Sequence, residues 1–98
     1  MITLGSNIEL VGFKEVDPGS MVIVRKMVGN YFRRFTDTKG GIEKLTLTLK
    51  PVHAQDENSK FELKGRVAMS GAVKASEATE KNLFFALDKV LSRIEAQL

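Results

Sequence analysis

The stretch from Ile42 to Lys50 constrains the fold most strongly, because its residues alternate between apolar and polar. Leu45, Leu47 and Leu49 alternate with lysine and threonine residues. Successive side chains of a strand point to opposite faces, so this alternation predicts a strand with one apolar face and one solvated, basic face. The apolar face of such a strand has to be covered by elements that carry an apolar stripe of their own.

Two amphipathic helices are predicted to supply that cover. Asp17 followed by Pro18 is typical of an N-cap and a first helical residue, so the first helix should begin near Pro18. Its apolar residues fall together on a 3.6-residue wheel: Met21, Val24, Met27, Val28, Tyr31, Phe32 and Phe35. The β-branched run from Val22 to Val24 would also suit a strand, but the alternation stops there. A second helix is predicted from a cap at Ser76 or Thr79 to about Leu98.

Three further strands complete the predicted sheet, over residues 7–13, 61–69 and 72–75. Gly65 is expected to mark either a bulge or a point of close approach. Pro51 is predicted to end the long strand, and residues 52–59 to form an exposed hairpin loop. The order β-α-β-β-β-α then predicts an α+β two-layer sandwich, in which two helices cover one face of a four-stranded sheet.

Size and composition narrow the class of protein. A chain of 98 residues and 10.9 kDa is expected to form a single domain, residues 1–98. The absence of cysteine excludes disulfide frameworks and thiolate chemistry. We find neither an apolar run of about 18 residues nor a secretory leader, so no membrane association and a cytoplasmic location are expected.

Catalytic residues are poorly represented. His53 lies in the predicted loop without a nucleophile or metal-binding partner, and Asp56 and Glu57 are neighbouring carboxylates of the same loop. Gly40 and Gly41 lack the remaining residues of a phosphate-binding loop. We therefore expect no catalytic residues, no metal, no cofactor and no small-molecule substrate.

The distribution of charge is more informative than the net charge of +3. Between residues 14 and 50, eight basic residues stand against four acidic ones, an excess of +4. Four of these cations lie on the polar face of the first helix with no acidic residue among them: Arg25, Lys26, Arg33 and Arg34. Such a face suits contact with RNA phosphates, and the alternative is an ordinary solvated helix face.

The aromatic residues argue against a reader of unpaired bases. Tyr31 and most phenylalanines fit core or rim positions, namely Phe32, Phe35, Phe61, Phe84 and Phe85, which leaves no aromatic platform for base stacking. Recognition of folded RNA by its backbone or shape is expected instead. Adjacent helical residues differ by about 100° around the axis, so one of Phe84 and Phe85 should lie at the rim or surface. That exposure supports an alternative function, a protein-interaction module or homodimer.

Several local motifs resemble the ribosome hibernation promoting factor family, also called ribosome-associated inhibitors. The similarity covers nearly the whole chain. It lies in Ile8-Glu9-Leu10-Val11-Gly12, in Phe35-Thr36-Asp37 at the exit of the first helix, and most closely in Ala75-Ser76 through Ala86-Leu87-Asp88 and in Ile94-Glu95-Ala96-Gln97-Leu98.

The resemblance implies a fold like that of double-stranded-RNA-binding domains and a function without catalysis. Members of the family dock in the channel of the small ribosomal subunit where messenger and transfer RNA bind, and so block initiation and store idle ribosomes under stress. Basic side chains of both helices contact ribosomal RNA phosphates in that family. By position, this role passes to Arg25, Lys26, Arg33 and Arg34 on the first helix, and to Lys81, Lys89 and Arg93 on the second.

Overall fold

The computed structural model describes residues 1–52 and 60–98. Within those ranges the chain forms five strands and two helices: β1 (Ile2–Leu4), β2 (Ile8–Val11), α1 (Pro18–Thr38), β3 (Ile42–Val52), β4 (Lys60–Met69), β5 (Ala72–Glu80) and α2 (Leu83–Gln97). The loop expected over residues 52–59, with His53, Asp56 and Glu57, lies outside the described residues except for Val52, which belongs to β3.

The five strands form one sheet in the order β1-β2-β3-β4-β5. Only β2 and β3 are parallel among these neighbours. A parallel pair needs a crossover connection, which α1 supplies. The described residues therefore form an α+β fold with one five-stranded sheet and two helices.

The core lies between the sheet and the helices. Leu45, Leu47 and Leu49 of β3 are buried, as their alternation predicts. They pack in one cluster with the buried stripe of α1 (Met21, Val24, Val28 and Phe35) and that of α2 (Leu83, Ala86, Leu87, Val90, Leu91 and Ile94). Both helices thus cover the same face of the sheet and leave the other face to solvent.

The predicted number of strands was wrong, because β1 was missed. This strand has three residues and pairs antiparallel with β2, with Ile2 opposite Leu10. Three residues are too few for alternation to be recognised in the sequence. In the folded chain the strand is held by its ladder with β2.

The boundary between β5 and α2 was also placed too early. β5 continues to Glu80, and the side chain of Asn82, rather than Ser76 or Thr79, caps α2. The half-buried residues of β5 include Lys74, Ser76 and Glu80, so its inner face carries little apolar signal. Ladder pairing with β4 extends the strand despite this polar composition.

Pro51 does not end β3, which continues to Val52. The ladder between β2 and β3 stops where Val11 pairs with Thr48. Beyond that point no strand of the described residues pairs with this side of β3, so a residue without an N–H is tolerated there.

Candidate nucleic-acid interface

Helix α1 carries the basic residues that the sequence singled out. The carboxylate of Asp17 accepts a hydrogen bond from the Ser20 N–H at 3.0 Å, and Pro18 is the first helical residue. This bond from Ser20 holds the pKa of the Asp17 carboxyl below its usual value. The start of α1 at Pro18 is thereby confirmed, and the burial of its apolar stripe turns the basic residues outward.

Three of the four α1 cations form an exposed basic surface. Arg25, Lys26 and Arg33 are exposed, and no carboxylate of residues 1–52 or 60–98 pairs with them. At about 100° per residue, Lys26 and Arg33 stand opposite the buried Val24, while Arg25 stands to one side of them. We call these three residues the α1 surface. Their guanidinium and ammonium groups are available to an anionic partner.

The fourth cation, Arg34, is engaged with α2. Its guanidinium pairs with Glu95 Oε1 at 2.5 Å and lies 4.7 Å from the centre of the Tyr31 ring. The Tyr31 hydroxyl in turn donates a hydrogen bond to Asp88 Oδ1 at 2.6 Å. Burial of the phenol, followed by this bond, raises the pKa of Tyr31 to about 12. Tyr31, Arg34, Asp88 and Glu95 form a row between the helices, which we call the interhelical row.

The cations predicted on the second helix lie on its other side. Lys81 precedes α2, Lys89 pairs with Glu80, and Arg93 donates to the backbone carbonyl of Glu77 at 3.0 Å. Gln97 likewise donates to the carbonyl of Ala75 at 2.8 Å. Since β5 is the last strand of the sheet, these side chains occupy carbonyls that would otherwise be open to a foreign strand.

We call Lys81, Lys89 and Arg93 the β5 flank. Glu80 lies among its cations: a hydrogen bond from Lys89, together with the charges of Lys89, Arg93 and Lys60, lowers the pKa of the Glu80 carboxyl. Lys60 was not singled out in the sequence. Only the ladder, in which its neighbour Phe61 pairs with Glu80, brings it to this end of β5.

The structure therefore does not gather the seven predicted cations into one stripe. The α1 surface and the β5 flank are separated by the interhelical row, where Asp88 and Glu95 add negative charge. These acidic partners are 57 and 61 residues away from Tyr31 and Arg34 in the chain. No local spacing in the sequence could have revealed them.

Phe84 and Phe85 take different places, as the 100° step between them predicts. Phe84 is half-buried and packs against the core, but Phe85 is 66% exposed. Of the two places expected for one member of this pair, rim or surface, Phe85 takes the surface. Leu83, Ala86 and Leu87 take the buried positions of the first turns of α2, and the 100° step turns Phe85 away from them.

The described residues also line concavities at the surface. A concavity of about 610 Å³ lies on the uncovered face of the sheet, lined by Thr46, Thr48, Lys64, Gly65, Arg66, Ala75, Ser76 and Glu77. Among the described residues, no group of three or more His, Cys, Asp or Glu side chains is placed to hold a metal ion. Within the described residues, no helix is both long enough and apolar enough to cross a membrane.

Comparison with known proteins supports the fold. No protein-family model and no curated protein sequence matches the chain. A ribosomal subunit interface protein from Coxiella burnetii superposes with a TM-score of 0.64 at 15% identity, covering 94% of this chain and 90% of that one. The Protein Y N-terminal domain of Thermus thermophilus gives a TM-score of 0.61 at 19% identity, with 92% and 90% covered. Both neighbours are hibernation-factor proteins, so the resemblance noted in the sequence is confirmed for the fold.

Proposed function

We propose that this chain is a cytoplasmic RNA-binding protein that docks on the small ribosomal subunit and blocks translation by occupying it, without catalysis. The two structural neighbours support a ribosomal partner, since one is a ribosomal subunit interface protein that aligns over nearly the whole of both chains. On this proposal the protein acts in ribosome hibernation, as part of a stress response.

The observation that carries the proposal is the α1 surface. Arg25, Lys26 and Arg33 project from one rigid helix and have no acidic partner in the described part of the chain. Each phosphate that a cation neutralises releases condensed counterions, so these residues would supply affinity that falls steeply with salt. Arg34 and the β5 flank are proposed as further contacts. Arg34 would have to leave Glu95, and Lys89 would have to leave Glu80, before either could pair with a phosphate.

The test is co-sedimentation of the purified protein with small ribosomal subunits over a series of salt concentrations. We expect binding at low salt. The double variant Lys26→Ala/Arg33→Ala should bind more weakly, and the slope of log K against log salt should fall by about 1.5, close to the 0.7–0.9 expected for each lost phosphate contact.

The matched control is Lys50→Ala/Arg66→Ala, which removes the same charge from the sheet face that the helices leave uncovered. We expect this control to keep most of the salt slope. Failure of the wild type to sediment with subunits at low salt would contradict the proposed function, and equal losses in the two double variants would contradict the α1 surface as the docking face.

The second candidate function is a protein-interaction module or homodimer of the same fold. The exposure of Phe85 is the observation that favours it. Solution scattering would then show a mass that rises with concentration and returns to that of a monomer in Phe85→Ser.

A further inference from the structure

Phe85 is an aromatic ring held in the open on a rigid element. Its backbone N–H donates to Asn82 Oδ1 at 3.2 Å, and the N–H of Phe84 donates to the same oxygen at 2.8 Å. These bonds fix the first turn of α2. Because Leu83 and Ala86 on either side of this pair are buried, Phe85 cannot turn inward without lifting them from the core.

Cations and a carboxylate both lie near the ring. Lys89 and Asp88 follow Phe85 on α2 by four and three residues, spacings that bring side chains to the same side of a helix. Lys81 lies just before the Asn82 cap. Glu80 offsets part of this charge by pairing with Lys89. Lys60, Lys89 and Arg93 all act on the Glu80 carboxylate and lower its pKa, so three cations meet this one carboxylate at the end of β5.

An exposed aromatic ring with an ammonium group beside it suits a nucleotide. A base can stack on the ring while its neighbouring phosphates contact the lysines, the combination by which proteins bind single-stranded nucleic acid. A second copy of this chain fits less well. A phenylalanine side chain buries at most about 250 Å², whereas a stable interface buries about 800 Å² on each partner. Two copies meeting through this face would also bring their lysines together.

We propose that Phe85 is a stacking platform for one unpaired base of RNA, with Lys81 and Lys89 contacting the adjoining phosphates. The proposal rests on the proposed function, since it specifies which part of a ribosomal RNA partner this end of α2 contacts. It also revises the expectation that the protein reads RNA only by backbone and shape: one single-stranded nucleotide is bound through its base.

A tryptophan at the position tests the stacking directly. The sequence contains no tryptophan, so Phe85→Trp introduces one fluorophore at the site. We expect its emission to be quenched on binding an eight-nucleotide oligoadenylate, and to change little on binding an abasic oligomer of the same length and charge. Fluorescence anisotropy of end-labelled oligomers shows that both are bound. Equal emission with the two bound oligomers would overturn the proposal.

Affinity gives a second, independent readout. Phe85→Ala should weaken the affinity for oligoadenylate by about fivefold or more, since fivefold is the lower end of what one base–aromatic stack contributes. Phe85→Tyr should retain the affinity, because it keeps an aromatic ring. Val22→Ala removes another exposed apolar side chain, 61% accessible on α1, and should leave the affinity unchanged. An oligoadenylate affinity unchanged in Phe85→Ala would refute the stacking role.

The two proposals can fail separately. If the wild type sediments with small subunits but Phe85→Ala binds oligoadenylate as tightly as the wild type, the stacking platform is wrong and the proposed function stands. If Phe85→Trp is quenched while no subunit binding occurs, base stacking is supported and the ribosomal partner is not. A concentration-dependent mass lost in Phe85→Ser, with RNA affinity unchanged, would assign the ring to a second copy instead.

Discussion

At the scale of single residues, Gly65 sets how closely α2 approaches the sheet. It pairs with Leu47 on one side and Ser76 on the other, without a bulge. The ladder irregularity falls instead between Ile42 and Lys44. A Cβ at Gly65 would lie 2.5 Å from Val90 Cγ1 and 3.0 Å from Ile94 Cδ1. Of the two roles predicted for this glycine, close approach is therefore the one that the structure shows.

Gly65→Ala is expected to destabilise the protein. The added methyl group would force α2 away from β4 or push Val90 off its rotamer, which costs about 1–3 kcal/mol in packed cores. Urea unfolding followed by circular dichroism would measure the change. Gly29→Ala is the control, because a Cβ added at this exposed position of α1 would meet nothing within 4 Å. Alanine there should raise the free energy of unfolding by about 0.5–1 kcal/mol, since it favours the helix over glycine. An unchanged unfolding midpoint in Gly65→Ala would contradict the packing argument.

At the scale of elements, α1 and α2 are joined across the interhelical row. Tyr31 contacts Asp88, and Arg34, further along α1, contacts Glu95, further along α2. The order of these contacts shows that the helices run in the same direction. Tyr31 also packs on Phe35, with ring centroids 6.1 Å apart, so its hydroxyl is held towards α2.

The titration of Tyr31 reports on this junction. It is the single tyrosine of the chain, so ultraviolet absorbance follows it without overlap, and we expect a midpoint of about 12. Because the folded pKa lies above the unfolded value of about 10, its contribution to stability is complete below pH 10. That contribution is lost as the pH rises from 10 to about 12.

Asp88→Asn should bring the midpoint down towards 10 but not to it. The hydrogen bond and charge of Asp88 come second to burial as causes of the raised pKa of Tyr31, and burial persists in the variant. Asp37→Asn, which removes an exposed carboxylate near the end of α1, is the matched control and should leave the midpoint in place. A midpoint that does not respond to Asp88→Asn would show that the two helices are not joined through this bond in solution.

At the scale of the whole molecule, pairing within the fold decides which cations are available. Arg34 and Lys89 are held by Glu95 and Glu80, whereas the α1 surface has no such partners among the described residues. Exposed pairs of this kind contribute about 0–1 kcal/mol to stability. A phosphate can therefore displace the carboxylate at modest cost, so on the proposed function the acidic residues would adjust affinity for RNA without blocking it.

Glu95→Gln is expected to strengthen RNA binding by freeing Arg34. The slope of log K against log salt should steepen by about 0.7–0.9, one phosphate contact, with small-subunit affinity measured by sedimentation. Glu43→Gln removes the same charge from an exposed, unpaired position at the start of β3 and controls for the change in net charge. Equal effects of the two substitutions would show that Arg34 does not gain a phosphate when Glu95 is removed.

Features that depend on near neighbours along the chain could be predicted from the sequence. Alternation identified the buried face of β3, and the Asp17-Pro18 cap identified the first residue of α1. The sequence also predicted that the four α1 cations face outward, which they do. These features can be predicted because the alternation of buried side chains along a strand, and the hydrogen bonds of a helix cap, both involve residues only a few positions apart.

The remaining features depend on contacts between distant parts of the chain. β1 and the polar half of β5 exist because ladders with β2 and β4 hold them, not because their own composition favours a strand. The partner of Arg34 comes from 61 residues away, and the exposure of Phe85 depends on which face of α2 the sheet accepts. Pairing and burial of this kind are properties of the assembled layers, and local sequence carries no signal of them.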